Sequence, residues 1–121
     1  MHKNILLAMD NVLMMSSLMT SIATLVSEAV THPVGDTEEI ADFLNKNEPP
    51  SLIILDMEMR DNKGRAILEF LASRKIKIPL IIMNDSGKDL GGISAAGRFD
   101  KPLNYRALYG TIKKVLEKNN T

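Results

Sequence analysis

The feature that most constrains this chain is a set of short apolar runs in which polar residues do not alternate. They lie at Ile5 to Met9, Leu52 to Leu55 and Leu80 to Met83, with a weaker candidate at Ala29 to Val34. Runs of this length that are apolar throughout are typical of strands buried on both faces, which occur mainly in parallel sheets. The chain is therefore predicted to build a parallel sheet with both faces covered.

Helical spacing fills the stretches between these runs. Apolar residues recur at i, i+3, i+4 and i+7 from Met15 to Val26, and Asp36 with Glu39 forms a capping pair for the next helix. A third helix is predicted from about Gly64 to Ser73 and a last one from Asn104. Strands that alternate with helices predict an α/β fold, a doubly wound five-stranded parallel sheet with helices on both faces.

The segment between Met83 and Lys101 departs from this regular pattern. It contains several glycines, each of which weakens a helix by about 1 kcal/mol. We expect the fourth helix, which would lie here, to be short or irregular, and the fifth strand to be a short one around Arg98 to Asp100.

Composition narrows the class of protein further. With 121 residues the chain has room for one domain, residues 1–121. Fifteen basic and fifteen acidic residues give zero net charge, which disfavours direct binding to nucleic acid or to an anionic membrane. No apolar run approaches the roughly 18 residues of a membrane span. The absence of cysteine suits a reducing compartment, so the expected location is the cytoplasm.

Polar residues follow the strands at the points where several of them end. These residues are Asp10, Asp56, Asn84 and Lys101. Ligands of doubly wound sheets bind beyond the carboxyl ends of the strands, so we expect the four side chains to share a small crevice. Two carboxylates, an amide and an ammonium group suit phosphoryl transfer to a carboxylate. Asp10, Asp56 and the backbone carbonyl of Glu58 would supply the oxygen ligands of Mg²⁺.

The chain resembles the receiver domains of bacterial response regulators and hybrid histidine kinases over nearly its whole length. The segments that carry the resemblance are KNILLAMDN, SLIILDMEMRDNKG, KIPLIIMND and RFDKPLN. It implies a flavodoxin-like strand order 2-1-3-4-5 and a role in two-component phosphorelay. It also implies that Asp56 accepts a phosphoryl group from a histidine kinase or phosphotransfer protein, that Asp10 binds Mg²⁺ and that Lys101 pairs with the phosphoryl group.

Several positions depart from the pattern of the family. Met9 stands where a second acidic residue is usual, which should weaken Mg²⁺ binding. Asn84 replaces the usual Ser or Thr that contacts the phosphoryl group, and Arg98 holds the position of the switch aromatic. Phe99 follows one step later, on the opposite strand face. Arg60 lies where relatives often have proline.

Two function classes follow from these agreements and departures. The first is a phosphoacceptor relay that switches a surface read by a downstream protein or output domain, and that at most catalyses its own phosphotransfer and dephosphorylation. The second is a pseudo-receiver, which keeps the fold but acts as a phosphorylation-independent interaction module. A flavin or nucleotide binder is disfavoured because no glycine-rich phosphate loop follows the first strand. A purely structural use of Asp10, as the cap of the first helix, also remains open.

Overall fold

The computed structural model describes residues 3–85 and 94–118. Its five strands are β1 (Lys3–Ala8), β2 (Ala29–Val34), β3 (Leu52–Asp56), β4 (Leu80–Met83) and β5 (Gly97–Phe99). Its α-helices in this part of the chain are α1 (Val12–Leu25), α2 (Thr37–Lys46), α3 (Lys63–Ser73) and α4 (Tyr105–Lys118). The predicted alternation of strands and helices is confirmed.

The strands form one parallel sheet in the order β2-β1-β3-β4-β5. This is the predicted order, and it places the apolar strands β1, β3 and β4 in the interior of the sheet. The weaker strand candidate, β2, lies at one edge, where its outer neighbour is solvent and a less apolar sequence is tolerated. The short strand β5 lies at the other edge.

Helices cover both faces of the sheet, and each face has its own apolar core. Helices α2 and α3 pack on one face, where Ile40 and Ile67 meet alternate strand residues such as Ile53 and Leu55. Helices α1 and α4 pack on the other face over the intervening strand residues. Because both faces are covered, the interior strands are apolar throughout.

Three of the described helices, α1, α2 and α4, begin at a side-chain cap, whereas Asn62 before α3 makes no such hydrogen bond. Asn11 Oδ1 accepts a hydrogen bond from Met14 N at the start of α1. Asn11 is therefore the cap, and the purely structural use considered for Asp10 is not observed. Asp36 Oδ1 accepts from Glu39 N at 2.8 Å, which confirms the predicted start of α2. Asn104 Oδ1 likewise accepts from Ala107 N, as predicted for the last helix.

The connection from β3 to α3 contains a tight turn that was not predicted from the sequence. A single 3₁₀ turn, Arg60–Asn62, precedes α3, and both Asp61 and Asn62 have positive φ. Aspartate and asparagine tolerate this left-handed conformation better than other residues with a side chain. The turn brings the loop after Asp56 back over the end of the sheet.

Two expectations meet the limits of the described residues. The short or irregular helix predicted between Met83 and Lys101 falls mainly on residues 86–93, which lie outside the described part of the chain. Within that part, no helix is long and apolar enough to cross a membrane.

Candidate functional site

Asp56 is the last residue of β3 and lies at the carboxyl edge of the sheet. It is only 3% exposed. Its Oδ1 atom accepts hydrogen bonds from Glu58 N at 2.9 Å and from Asn84 Nδ2 at 3.0 Å. Its Oδ2 atom accepts none from the described residues. The side chain is thus held through one oxygen while the other remains available to a ligand.

Asn84 follows β4 and has an unusual conformation. Its φ is 58°, in the left-handed region, and its side chain is buried. The backbone N of Asn84 donates to Phe99 O at 2.8 Å, which continues the β4 to β5 pairing by one residue. Asn84 Oδ1 is the one buried side-chain oxygen or nitrogen without a hydrogen-bond partner among the described residues. A buried acceptor in this state favours a ligand that supplies a donor or a cation.

Asp10 is connected to the same edge through the loop that follows Asp56. Its Oδ2 atom accepts from Arg60 N at 2.8 Å and lies 3.5 Å from Arg60 Nε. The backbone hydrogen bond from Arg60 is the main reason that the pKa of Asp10 is lowered from its ordinary value of 3.8. The guanidinium group and the charge of Lys63 act in the same direction. Asp10 is therefore ionised at neutral pH.

Lys101 follows β5 and points toward the same loop. Its Nζ atom lies 2.7 Å from Glu58 Oε2, and both side chains are exposed. The hydrogen bond that Lys101 donates to Glu58 raises the pKa of Lys101 above 10.5, and the charges of Glu58 and Asp56 add to this effect. The Lys101–Pro102 peptide bond is cis. Glu58, predicted to contribute only its carbonyl, thus also holds Lys101 through its side chain.

The oxygen atoms of this edge suit a hard divalent cation. Hydrogen bonds within the described chain end on Asp56 Oδ1 and Asp10 Oδ2, so each acid keeps its second oxygen. Mg²⁺ requires only one or two carboxylates, with water completing its shell. No group of three or more His, Cys, Asp or Glu residues that could hold a metal occurs in the part of the chain described. A divalent cation at this edge would therefore have Asp10, Asp56 and the predicted carbonyl of Glu58 as its protein ligands.

One buried acid at this edge was not identified from the sequence. Asp85, directly after Asn84, is 5% exposed and lies 3.3 Å from Arg98 Nη1 on β5. A signal was present, because Asp85 is a second polar residue after an apolar strand. Its partner could not be found without knowing that Arg98 projects from β5 beside Ile82.

The strand order and the two-sided helix packing are those of the receiver fold of response regulators. Solved structures of that class match nearly the whole chain. A response regulator receiver protein from Pseudoalteromonas atlantica is 17% identical and has a TM-score of 0.79, covering 97% of this chain and 99% of its own. No family model matches the chain, and no curated protein matches it by sequence.

Two further structures show the same likeness. The signal receiver domain of a DNA-binding response regulator from Colwellia psychrerythraea is 24% identical, with a TM-score of 0.78 over 95% of this chain and 98% of its own. A response regulator from Thermotoga maritima in complex with Mg²⁺-BeF is 21% identical, with a TM-score of 0.75 over 93% and 98% of the two chains. At these identities the likeness establishes the receiver fold.

Proposed function

We propose that residues 1–121 form one receiver domain that accepts a phosphoryl group on Asp56 from a histidine kinase or phosphotransfer protein. The observation that carries this proposal is the asymmetric hydrogen bonding of Asp56. Two donors fix Oδ1, while Oδ2 accepts no hydrogen bond from the described residues. A buried carboxylate held in this way is oriented for attack on a phosphoryl group by its second oxygen.

The neighbouring residues have the charges that this reaction needs. Mg²⁺ bound to Asp10, Asp56 and the carbonyl of Glu58 would neutralise the phosphoryl oxygens when present. Lys101 supplies a positive charge at neutral pH, and its pKa is raised further by Glu58. Asn84 supplies an amide in contact with Asp56. A downstream protein or output domain would read the phosphorylated state, in a cytoplasmic setting.

The direct test is intact-mass analysis after incubation with phosphoramidate, with and without Mg²⁺. We expect a Mg²⁺-dependent adduct of one phosphoryl group in the wild type that is absent from Asp56→Asn. Asp42→Asn is the matched control, because Asp42 is an exposed acid paired with Lys46 on α2. Failure of the wild type to form an adduct, under conditions that label a standard receiver, would exclude the phosphoacceptor role.

A pseudo-receiver is the second candidate, and one observation favours it. Asp10 and Glu58 are already paired with cations of the same chain, Arg60 and Lys101. The negative charge of Asp10 and Glu58 is thereby partly neutralised without a metal. In that case the wild type would bind its partner equally well before and after treatment with the phosphodonor.

A further inference from the structure

We propose that the Asp85–Arg98 ion pair transmits the state of Asp56 to the surface of β5. This inference rests on the proposed function, because phosphorylation is the event that would change the state of Asp56. Its structural basis is a continuous series of contacts from Asp56 to Asn84, then along the chain to Asp85, and from there to Arg98.

The first contact in the series is sensitive to what is bound at Asp56. Asn84 Nδ2 donates to Asp56 Oδ1, and Asn84 Oδ1 has no partner. A phosphoryl group on Asp56 changes the charge and the acceptors that face this amide. Because the side-chain amide of Asn84 has one hydrogen bond, to Asp56, and an unused acceptor, it can reorganise without breaking a hydrogen bond to any other described residue.

The second step follows from the backbone of Asn84. Asparagine tolerates a positive φ, and the hydrogen bonds of Asn84 to Asp56 and to Phe99 O fix that conformation here. A change in the side-chain bond alters what holds this conformation. Asp85 is the next residue, so its carboxylate moves with any rotation of the Asn84 backbone.

The third step depends on the burial of Asp85. Its side chain is 5% exposed, whereas that of Arg98 is 40% exposed. A buried carboxylate requires its cationic partner more strongly than an exposed one does, since water does not replace the lost interaction. Arg98 is therefore expected to follow Asp85. Because Arg98 also reaches the surface, the movement changes the charge that a partner protein meets beside β5.

The Asp85–Arg98 pair lies where β4 and β5 are joined by hydrogen bonds. Asn84 N bonds to Phe99 O, directly beside Arg98 in the chain. Phe99 packs with the core under α1 and α4, whereas Arg98 lies beside Ile82 on the opposite face. An arginine at this position transmits the change through charge, where an aromatic side chain would transmit it through packing.

The experiment follows the Nε–Hε resonance of Arg98 by NMR in the ¹⁵N-labelled chain, assigned with Arg98→Lys. In the first arm, Asp56→Ala removes the acceptor of the Asn84 amide without any phosphodonor. We expect the Arg98 resonance to shift more than those of the other arginines. Asp42→Ala, a surface substitution on α2, should leave it unchanged. Backbone amide dispersion reports whether each variant is folded.

The second arm adds phosphoramidate and Mg²⁺ to the wild type and to Asp85→Asn, with the adduct measured by mass in each sample. The Arg98 resonance should shift on phosphorylation in the wild type. In Asp85→Asn it should already be displaced and should not move further, although the adduct forms. An unmoved Arg98 resonance in Asp56→Ala, or in a fully phosphorylated wild type, would overturn the coupling.

The two arms separate the failure of this inference from the failure of the proposed function. A shift in the first arm without an adduct in the second would leave the coupling intact and reject phosphorylation. An adduct without any shift of the Arg98 resonance would reject the coupling and leave the phosphorylation of Asp56 intact.

Discussion

Two acidic side chains at the candidate site, Asp10 and Glu58, contact cations of the same chain. Asp10 accepts from the backbone and guanidinium of Arg60, and Glu58 pairs with Lys101. Arg60 and Glu58 both belong to the loop between β3 and α3. The loop thus links both Asp10 and Lys101 to the strand that ends at Asp56, and each link can be tested by a single substitution.

Arg60 offers a matched pair of substitutions for Asp10. Arg60→Gln removes the guanidinium but keeps the backbone N–H, whereas Arg60→Pro removes both. Proline suits this position because Arg60 begins the 3₁₀ turn and Met59 is extended, with ψ of 149°. Since the backbone hydrogen bond is the main cause of the lowered pKa of Asp10, that pKa should rise slightly in Arg60→Gln and more in Arg60→Pro.

The pKa of Asp10 can be followed through its ¹³Cγ resonance during an acid titration. The sign for stability follows from linkage. Because the folded pKa lies below 3.8, ionised Asp10 stabilises the fold above that pH, and the contribution is lost as pH falls through the folded value. Equal rises in both variants would instead assign the effect to the guanidinium.

Glu58→Gln should change both the titration and the reactivity of Lys101. The pKa of Lys101 should fall toward 10.5, because Glu58 is the main cause of its elevation. The raised pKa means that charged Lys101 stabilises the fold below pH 10.5 and that this contribution is lost as pH rises through the folded value. Lys101 would also be released to meet the phosphoryl group, so adduct formation should accelerate by up to about fivefold, the range of an exposed pair.

The initial rate of adduct formation measures this effect, and Glu69→Gln is the control. Glu69 is an exposed acid paired with Arg65 on α3. A slower rate in Glu58→Gln than in the control would show that Glu58 assists the reaction and does not compete for Lys101.

At the level of elements, the strands were the most predictable part of the fold. Strands β1, β3 and β4 are interior strands, so their sequences are apolar throughout, and the pattern locates them directly. Caps at Asp36 and Asn104 located two helix starts, because these contacts are local in sequence. The turn before α3 was not predicted, since the left-handed conformations of Asp61 and Asn62 have no signal beyond residue type.

The site itself was only partly predictable. Parallel strands bring their carboxyl ends to one edge, which was sufficient to select Asp10, Asp56, Asn84 and Lys101. The ion pairs that two of these residues make with other residues depend on distances across the edge of the sheet, which the sequence does not show. Glu58 with Lys101 and Arg60 with Asp10 are such pairs, separated by 43 and 50 residues in the chain.

The junction of β3 and α3 should be sensitive to a single methyl group. A Cβ at Gly64 would lie 2.5 Å from Asp56 O and 3.0 Å from Met57 Cα, which are backbone atoms and cannot rotate away. Gly64→Ala should therefore lower the free energy of unfolding by about 1 to 3 kcal/mol, the usual cost of overpacking. Urea unfolding measures the change.

Gly110→Ala provides the control within the same chain. A Cβ at Gly110 meets nothing within 4 Å, and the residue lies inside α4. Alanine there should raise the free energy of unfolding by about 0.5 to 1 kcal/mol through helix propensity alone. A Gly64→Ala variant as stable as the wild type would mean that β3 and α3 separate easily, contrary to the close packing beneath Asp56.

For the whole molecule, the candidate site lies at the edge of the sheet where β1, β3, β4 and β5 end. Met57 N bonds to Met83 O, and Asn84 N bonds to Phe99 O, so hydrogen bonding between strands extends past β3 and β4. These bonds join the segments that carry Asp56, Asn84 and Lys101. A ligand at this edge therefore contacts parts of the chain far apart in sequence, and its binding should stabilise the complete fold.

Mg²⁺ should accordingly raise the thermal unfolding midpoint of the whole domain without any phosphodonor. A ligand at ten times its dissociation constant stabilises the native state by about 1.4 kcal/mol, which corresponds to several degrees for a domain of this size. Asp10→Asn should reduce the shift, because it removes one of two carboxylates. Arg60→Gln should increase it, because Arg60 Nε lies beside Asp10 Oδ2 and competes with the cation. Asp42→Asn is the control, and an equal Mg²⁺ shift in all four proteins would place the bound cation elsewhere on the molecule.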